Sequence, residues 1–454
     1  MPPPSSRSPK SAARRHAPAC FCAAALLAPA ALPACNCGTE DLATRPETAL
    51  SASGPSASIA PAPSSATPAK PAPPAISRVV LITVDALRGD QPWTTYPAAS
   101  TPNLSALAKS GVVYERAWSL ANTTGPSLGA LLASRYPTEM GRDDCPLAGL
   151  DVTNGLAQTL AERGVWTGAA HGHPYFGGGG APRVGFESWR TIPQVLGRRA
   201  VDGAVTGEDV ATLAIEMFSS APSDRPAFLW THFVDPHDKY VLQPGFPASG
   251  NAGRSIYDSE VAYTDFHIGR LLRAIEASPF AASTAILVTA DHGEAFGEHG
   301  TWRHGMNMYD EETRVPLLWR APGHKPATIS TPRSLIDVAP TIADMLGIQA
   351  PSSWRGKSLL KDPASPHPEE RPVIVDAPDL MSSPPRRAVV MGSFKVIVSD
   401  GQTRAFDLAA DPKERKPLAR DAASDPIARA TKLLEQIPAV PSRRCPRQAY
   451  RVAP

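Results

Sequence analysis

The sequence predicts an α/β fold with a central, mostly parallel β-sheet flanked by helices. Short apolar runs rich in β-branched residues recur along the chain, and segments with helical periodicity separate them. The apolar runs lie at residues 79–84, 165–170, 227–233 and 285–290. Strands buried on both faces read as continuous apolar runs, and their alternation with helices is typical of parallel sheets.

The segments between the apolar runs have the spacing of amphipathic helices. We expect helices at residues 101–110, 154–163, 208–219 and 258–277. In open parallel sheets, ligands bind beyond the carboxyl ends of the strands. The polar residues that directly follow each apolar run are therefore the first candidates for chemistry.

The last part of the chain has a different pattern. Short strands are expected at residues 373–376 and 394–398, with a turn at Asp400-Gly401 and a final helix at residues 427–437. This pattern predicts a small C-terminal α+β subdomain with a tail, residues 372–454. It would pack on a main domain at residues 78–371.

Length and composition narrow the class of protein. The 454 residues suit one large α/β domain with appendages. A hydrophobic fraction of 42% and a charged fraction of 19% are ordinary for a globular protein. The net charge of +2 gives no support for nucleic acid as a partner.

The N-terminus has the parts of an export signal. A basic segment contains Arg7, Lys10, Arg14 and Arg15, an apolar run covers residues 20–31, and Leu32-Pro33-Ala34-Cys35 follows. The tetrapeptide resembles the lipobox of bacterial lipoproteins, which implies a signal peptide at residues 1–34 and a lipidated Cys35. The alternatives are a plain signal peptide cut near Ala34 and an apolar patch in a disordered tail.

A tether is expected between Cys35 and the folded part. Residues 53–76 contain only Ser, Gly, Pro, Ala, Ile, Thr and Lys, so the predicted tether, residues 35–77, cannot form a core. The protein is thus expected to be exported and anchored through its lipid to the membrane of the bacterial cell envelope, in the periplasm or on the outer surface.

Two of the six cysteines, Cys145 and Cys445, fall in the predicted folded part, where they could pair or remain separate thiols.

Acidic groups follow two of the predicted strands. Asp85 follows the first strand, and Asp291 and His292 follow the strand at residues 285–290. Two carboxylates and an imidazole at carboxyl strand ends suit a divalent cation. Each motif alone has a simpler explanation, because an Asp after a strand is often a helix cap or a turn former.

A hydroxyl group is expected at a helix N-terminus between these motifs. In Thr124-Gly125-Pro126-Ser127, the proline suits the first turn of a helix. The Thr124 hydroxyl would then lie among N–H groups that favour a bound anion. Taken without the flanking motifs, Thr124 is better explained as a helix N-cap and nothing more.

In order along the chain, these motifs resemble the sulfatase family of the alkaline phosphatase superfamily. The matching segments are residues 84–90, Thr-x-Pro-Ser at 124–127 with Leu-Leu-Ala-Ser-Arg-Tyr-Pro at 131–137, residues 232–237, residues 291–300 and Phe-Asp-Leu at 406–408. The similarity covers residues 79–418. It implies an alkaline-phosphatase/sulfatase-like fold and a metal-dependent ester hydrolase.

The resemblance also implies roles for individual residues. Asp85, Thr124, Asp291 and His292 would hold one divalent metal ion, which could be Ca, Mg, Mn or Zn. Thr124 stands in the position of the nucleophile. His237 and His304 would bind the transferred anion or assist the leaving group, and Arg88 or Arg303 would add positive charge. His232 and His299 would have supporting roles.

The sequence departs from the sulfatase pattern at the nucleophile. Sulfatases convert a cysteine or serine to formylglycine, and the secondary alcohol of Thr124 cannot give that aldehyde. The arginine that follows Pro-Ser is replaced by Leu128, and the second acidic ligand is replaced by Ala86. The Asp-x-x-x-His pattern of two-zinc members does not fit Asp235-Pro236-His237. A threonine nucleophile resembles that of nucleotide pyrophosphatase-like phosphodiesterases and of phosphoethanolamine or glycerol-phosphate transferases.

Three functions remain open on the sequence. The first is a hydrolase that acts on sulfate, phosphate or phosphonate esters through Thr124, with a small anionic ester or a sulfated or phosphorylated glycan or lipid as substrate. The second is a transferase that moves a phospho-group to an envelope lipid or glycan. The third is a non-catalytic binding protein with the same fold.

Overall fold

The computed structural model describes residues 76–96, 100–142, 151–176, 181–193, 203, 205–250, 252–378 and 384–443. The predicted signal peptide, Cys35, residues 35–75 of the tether, Cys145 and Cys445 lie outside these ranges, so those expectations stay predictions. Among the described helices, none has both the length and the apolar character needed to cross a membrane.

Within the described residues, nine strands form the central sheet. They are β1 (Arg78–Val84), β2 (Val112–Trp118), β3 (Trp166–His171), β4 (Ser188–Thr191), β5 (Ala227–Phe233) and β6 (Thr284–Ala290), then β9 (Arg314–Arg320), β10 (Ala327–Ile329) and β11 (Arg333–Ser334). Between β6 and β9, the short strands β7 (Ala295–Phe296) and β8 (Trp302–Arg303) pair with each other. The order across the sheet is β10-β2-β9-β6-β1-β5-β3-β4, with β11 beside β2.

The helices that connect and cover the strands are mostly those that the periodicity predicts. The described helices are α1 (Pro102–Ser110), α2 (Thr124–Ala133), α3 (Leu156–Ala161), α4 (Gly207–Ser220), α5 (Gly253–Glu276), α6 (Asp310–Thr313), α7 (Val338–Met345) and α8 (Arg420–Leu434). The predicted α/β architecture is confirmed.

The centre of the sheet positions the candidate site. Every residue of β1 is buried, as its continuous apolar sequence predicts. β1 pairs in parallel with β5 on one side and β6 on the other, and Val84, Phe233 and Ala290 lie at the same level. The residues that follow these three strands therefore meet at one edge of the sheet.

The sheet also contains an antiparallel strand that the sequence pattern did not reveal. β9 pairs antiparallel with both β6 and β2. Its five central residues are all buried, so its sequence reads like that of a buried parallel strand. Strand direction depends on the connection, and hydrophobic periodicity carries no information about it.

The C-terminal subdomain is an antiparallel sheet covered by a helix. Its strands are β12 (Val373–Ala377), β13 (Arg386–Met391), β14 (Phe394–Ser399) and β15 (Gln402–Asp407), in that order. Asp400 and Gly401 both have positive φ, 54° and 71°, as a tight two-residue hairpin turn requires. The predicted start of the last helix is wrong, because α8 begins at Arg420 and continues through Pro426.

Candidate active site and metal centre

Two carboxylates lie side by side where β1 and β6 end. The side chains of Asp85 and Asp291 are fully buried. The N–H groups of Ala86 and His292 donate hydrogen bonds to Asp291 Oδ1, at 3.1 and 2.9 Å. These bonds fix the Asp291 carboxylate and leave its second oxygen, Oδ2, directed toward the neighbouring strand end.

Several buried polar atoms at this edge have no hydrogen-bond partner among the described residues. They are Asp85 Oδ1, Asp85 Oδ2, Asp291 Oδ2 and His232 Nε2. Ligand atoms of Asp85, His232 and Asp291 all lie within 4.8 Å of one another. Burying a carboxylate without a counter-charge costs several kcal/mol, and burial, followed by the charge of Asp291, raises the pKa of Asp85 to about 7. Carboxylate oxygens and imidazole nitrogens left in this state fit a divalent cation.

The conformation of His292 is suited to binding a metal. Its Nδ1–H donates to the Gly293 carbonyl at 2.9 Å, so Nε2 carries the lone pair. This Nε2 lies 3.5 Å from Asp85 Oδ1 and 3.5 Å from Asp291 Oδ2. A Cβ at position 293 would lie 2.2 Å from the Glu311 carbonyl oxygen, which explains the glycine in the turn.

Thr124 lies at the first position of helix α2. Its Oγ1 is 3.2 Å from His292 Nε2, and the residue is almost fully buried. Ser127 Oγ donates to the Asp291 carbonyl at 2.6 Å and so joins the first turn of α2 to the end of β6. The partial positive charge of the helix N-terminus favours an anion beside the Thr124 hydroxyl. Leu128, in place of the family's arginine, packs in the hydrophobic core.

Two more histidines extend from His292 along the site. The ring of His304 lies 4.1 Å from that of His292, and the ring of His237 lies 5.0 Å from that of His304, between centroids. His304 Nδ1 lies 3.2 Å from Glu294 Oε1, and burial raises the pKa of this carboxyl to about 7. His237 Nδ1–H donates to the Asp238 carbonyl at 2.5 Å. Glu294 lies in the segment 291–300 that resembles the sulfatase family, no role was predicted for it, and the structure places it behind His304.

The two candidate arginines have different surroundings. Arg88 contacts Asp90 at 3.0 Å and Glu298 at 3.1 Å, and its Nη1 donates to the Glu294 carbonyl at 2.5 Å. Two carboxylates thus balance its charge, and Arg88 holds the segment that carries Glu294. Arg303 is exposed and pairs with Asp238 at 3.2 Å, next to His237.

Two fully buried histidines lie on the other side of Asp85. His232 Nε2 is 3.7 Å and His173 Nε2 is 3.6 Å from Asp85 Oδ2. Burial lowers the pKa of His232 to about 4, so the ring is neutral at neutral pH. His232 was expected to have only a supporting role, and His173 was not predicted as a site residue. The signal for His173 was its place two residues after β3, at the carboxyl edge of the sheet.

His299 lies apart from this cluster. Its Nδ1 is 2.8 Å from Glu311 Oε1, and its ring stacks on Tyr309 at a centroid distance of 3.6 Å. Its Nε2 is 3.1 Å from the Glu414 carbonyl oxygen. These contacts join the loop after β6 to the C-terminal subdomain.

Comparison with known proteins identifies the family. A family model described as sulfatase matches residues 77–348, and one described as N-sulphoglucosamine sulphohydrolase, C-terminal, matches residues 297–439. A choline-sulfatase from Rhizobium meliloti (strain 1021) is 26% identical over 436 residues, covering 78% of this chain and 84% of that protein.

Solved structures show the same fold. The crystal structure of Ps i-CgsB in complex with k-i-k-neocarrahexaose has a TM-score of 0.67 at 20% identity, covering 82% of this chain and 96% of that one. The phosphonate monoester hydrolase from Silicibacter pomeroyi has a TM-score of 0.66 at 20% identity, covering 79% and 94%. With the sulfatase model matching more than half of its length, the chain belongs to the sulfatase family of the alkaline phosphatase superfamily and is a hydrolase of sulfuric or phosphoric ester bonds.

Proposed function

We propose that the protein hydrolyses an anionic sulfate, phosphate or phosphonate ester with the Thr124 hydroxyl as nucleophile. The observation that carries this proposal is the position of Thr124 Oγ1. It lies at a helix N-terminus and 3.2 Å from His292 Nε2, beside carboxylate oxygens of Asp85 and Asp291 that have no hydrogen-bond partner in the described part of the chain.

Four residues would hold a divalent cation at this point. They are Asp85, Thr124, Asp291 and His292, which offer oxygen ligands and one imidazole, a set compatible with Ca, Mg, Mn or Zn. A bound cation would lower the pKa of the Thr124 hydroxyl and screen the negative charge of the ester. The unpartnered oxygens argue against a non-catalytic protein with this fold, since a site without a ligand would retain buried charges at a cost in stability.

The chain's own groups account for the remaining steps. The N-terminus of α2 favours the anionic group of the ester next to Thr124. The Thr124 hydroxyl loses its proton to solvent, and Oγ1 forms a bond to sulfur or phosphorus as the bond from that atom to the ester oxygen breaks. The ester oxygen leaves with a proton from His304, whose Nδ1 faces Glu294 and which is protonated again from solvent. His237 lies beside His304 and would bind the transferred anion. Water then cleaves the Thr124 ester and restores the hydroxyl.

The relatives suggest classes of substrate. They include a choline-sulfatase, a protein crystallised in complex with k-i-k-neocarrahexaose and a phosphonate monoester hydrolase. Without formylglycine, Thr124 is the nucleophile of an alkoxide mechanism, which favours phosphorus esters over sulfate. A transferase would use the same first step, with an acceptor alcohol of an envelope glycan or lipid in place of water.

Turnover of model esters tests the proposal. Aryl sulfate, aryl phosphate, phosphodiester and phosphonate monoester substrates are each assayed with Mg, Mn, Ca and Zn. We expect Thr124→Ala to lower turnover by about 10³-fold or more, because the nucleophile is removed. Thr123→Ala is the matched control, since Thr123 Oγ1 makes no hydrogen bond within the described residues. Wild-type turnover in Thr124→Ala would exclude a threonine nucleophile.

We further propose that the protein is an envelope lipoprotein modified at Cys35. Support comes from the sequence Leu32-Pro33-Ala34-Cys35 and the tether that follows. Labelling of cells with a fatty acid should label the wild-type protein and leave Cys35→Ser unlabelled. Equal labelling of both proteins would rule out this site of attachment.

A further inference from the structure

A cavity of about 860 Å³ lies between the main domain and the C-terminal subdomain. Its walls come from the segment after β1, the first turn of α5, the loop after β7, the junction of α6 and β9, and a turn at residues 412–415. Small-molecule sites in proteins usually have volumes of about 300–1,000 Å³. The described residues that line the cavity include Arg88 but none of Thr124, His237, His292 and His304, so the proposed reaction does not account for it.

The carboxylates that line the cavity already have partners. Arg88 lies 3.0 Å from Asp90 and 3.1 Å from Glu298. Arg254 also contacts Asp90, at 3.0 Å. Lys395 and His299 are the partners of the other three carboxylates, which are those of Asp310, Glu311 and Glu414, at 2.6, 2.8 and 2.9 Å. Among the described residues, the cavity therefore offers no carboxylate that lacks a partner to a cation from solution.

Three cationic side chains of the same cavity have no such partner. Arg314, Lys413 and Arg415 line the cavity, and none of them forms an ion pair with a carboxylate in the described part of the chain. Arg314 Nη2 donates a hydrogen bond to the Glu115 carbonyl, which orients the guanidinium without neutralising its charge. Lys413 and Arg415 are exposed. The charges that remain unpaired in the cavity are thus positive, and they favour an anionic ligand.

The turn that carries Lys413 and Arg415 is fixed by the residue between them. Glu414 has a positive φ of 53°, which a residue other than glycine rarely adopts. Its side chain is buried, with Oε1 2.9 Å from Lys395 Nζ, and Oε2 accepts a hydrogen bond from the Asp310 N–H at 2.6 Å. Because the backbone of this turn is already held in place, the two cations lose little backbone freedom when a ligand binds.

We propose that this cavity binds a sulfate or phosphate group, with Arg314, Lys413 and Arg415 as its charge partners. Guanidinium and ammonium groups are the usual donors to such oxyanions. The cavity is larger than one oxyanion, and Tyr96 adds an aromatic side chain to its wall, so it has room for a sugar that carries the group. A free anion and an anionic sugar ester share this chemistry, and their affinities distinguish them. The inference concerns a site apart from Thr124 and does not depend on the proposed reaction.

Calorimetric titration of the full protein at constant ionic strength tests the proposal. The probes are inorganic sulfate, inorganic phosphate, glucose 6-sulfate and glucose 6-phosphate. We expect Lys413→Gln combined with Arg415→Gln to weaken binding by about tenfold or more, because two charge-assisted contacts are lost. Lys416→Gln is the matched control, because Lys416 is exposed next to the same turn and does not line the cavity. This control should bind the probes as the wild type does.

The ranking of the probes identifies the source of the group. Tighter binding of the sugar esters than of the inorganic anions would support the site and identify a sugar as the carrier. Equal or weaker binding of the esters would support it as a site for the free anion.

An anomalous diffraction map of wild-type crystals soaked in selenate locates the bound anion. A peak beside Arg314, Lys413 and Arg415 would support the site. A peak only beside Thr124, no binding of any probe, equal affinity in the double variant and the wild type, or an equal loss in Lys416→Gln would overturn it. Loss of ester hydrolysis in Thr124→Ala bears only on the proposed reaction.

Discussion

Two clusters of buried charged residues in this protein differ in how their charged atoms are partnered. Under the C-terminal subdomain, Lys395 is fully buried, and its Nζ lies 2.6 Å from Asp310 Oδ1 and 2.9 Å from Glu414 Oε1. Trp118 Nε1 also donates to Asp310, at 2.8 Å. At the sheet edge, the carboxylate oxygens of Asp85 have no hydrogen-bond partner among the described residues, and histidine nitrogens lie 3.5–3.7 Å away.

This difference in partners suggests different roles for the two clusters. The Lys395 cluster stabilises the fold, and the Asp85 cluster suits the binding of a ligand. In the Lys395 cluster, the ammonium group lies at hydrogen-bond distance from both carboxylates, and burial raises the pKa of Glu414, so that this carboxyl group is more readily neutral. Among the described residues, the Asp85 cluster collects oxygens and imidazoles with no cationic side chain in contact, and the proposed cation would balance its charge. Burial of charge is therefore a poor guide to function, and the completeness of its partners is a better one.

Removing the charge of Asp85 should have the largest effect. We expect Asp85→Asn to lower ester hydrolysis by about 10³-fold or more, because the amide is a weak ligand and cation binding is lost. In excess chelator, the variant should unfold at the same or a higher temperature than the wild type, because it no longer buries an unbalanced carboxylate. An activity assay measures the loss of ester hydrolysis, and thermal unfolding with and without chelator measures the change in stability. If the variant were less stable than the wild type in chelator, the Asp85 carboxylate would not be an unbalanced buried charge.

Removing the charge of Lys395 should lower stability and leave metal binding unchanged. Lys395→Met leaves Asp310 and Glu414 buried side by side, and breaking a buried ion pair in this way costs about 3–5 kcal/mol. The free energy of unfolding is measured by denaturant titration, with Lys413→Met, at an exposed position, as the control. Protein that remains folded should bind as much metal as the wild type. A loss below about 1 kcal/mol would show that the cluster contributes little to the fold.

A smaller effect is expected from the proton donor. His304→Ala should lower turnover by about 10²-fold for esters with alkyl leaving groups, because these need a proton when the bond breaks. Nitrophenyl esters should lose much less, since nitrophenolate leaves without one. His324→Ala, at an exposed position, is the control. An equal loss for both kinds of ester would assign His304 to binding of the anion instead.

Much of the site could be predicted because strand ends are visible in the sequence. Asp85, Asp291 and His292 directly follow apolar runs, and parallel pairing of β1 with β6 brings them together. His173 was missed because it lies two residues beyond β3 in a segment without periodicity. The ion pairs of Arg88 could not be predicted either, because its pairing with Asp90 and Glu298 depends on the three-dimensional fold.

Two features of the fold could not be predicted from the sequence. They are the direction of strand β9 and the buried face of helix α5. Direction of pairing depends on connections, and the buried face of a long helix depends on what packs against it. Glu260 lies within a segment that the periodicity assigns to a helix, where a glutamate is expected to face solvent. In the structure, it is only 2% exposed.

Glu260 shares a feature with each of these clusters, because one of its oxygens has a hydrogen-bond partner and the other has none among the described residues. Oε1 accepts a hydrogen bond from the Val241 N–H at 2.9 Å, while Oε2 has no partner in the described part of the chain. Burial raises the pKa of Glu260 to about 9. The folded state thus binds a proton more tightly than the unfolded chain, and this contribution to stability is lost as the pH rises from the unfolded pKa toward about 9.

Glu260→Gln removes this dependence, because an amide stays neutral and still accepts from Val241. Relative to the wild type, we expect its free energy of unfolding to increase between about pH 5 and about pH 9, because only the wild type loses proton-linked stability over this range. Denaturant titrations at both values, in excess chelator, measure the change. Glu276→Gln lies on the same helix with its side chain 55% exposed and should show no such trend. A constant difference between Glu260→Gln and the wild type would mean that Glu260 is ionised throughout, with a counter-charge outside the described residues.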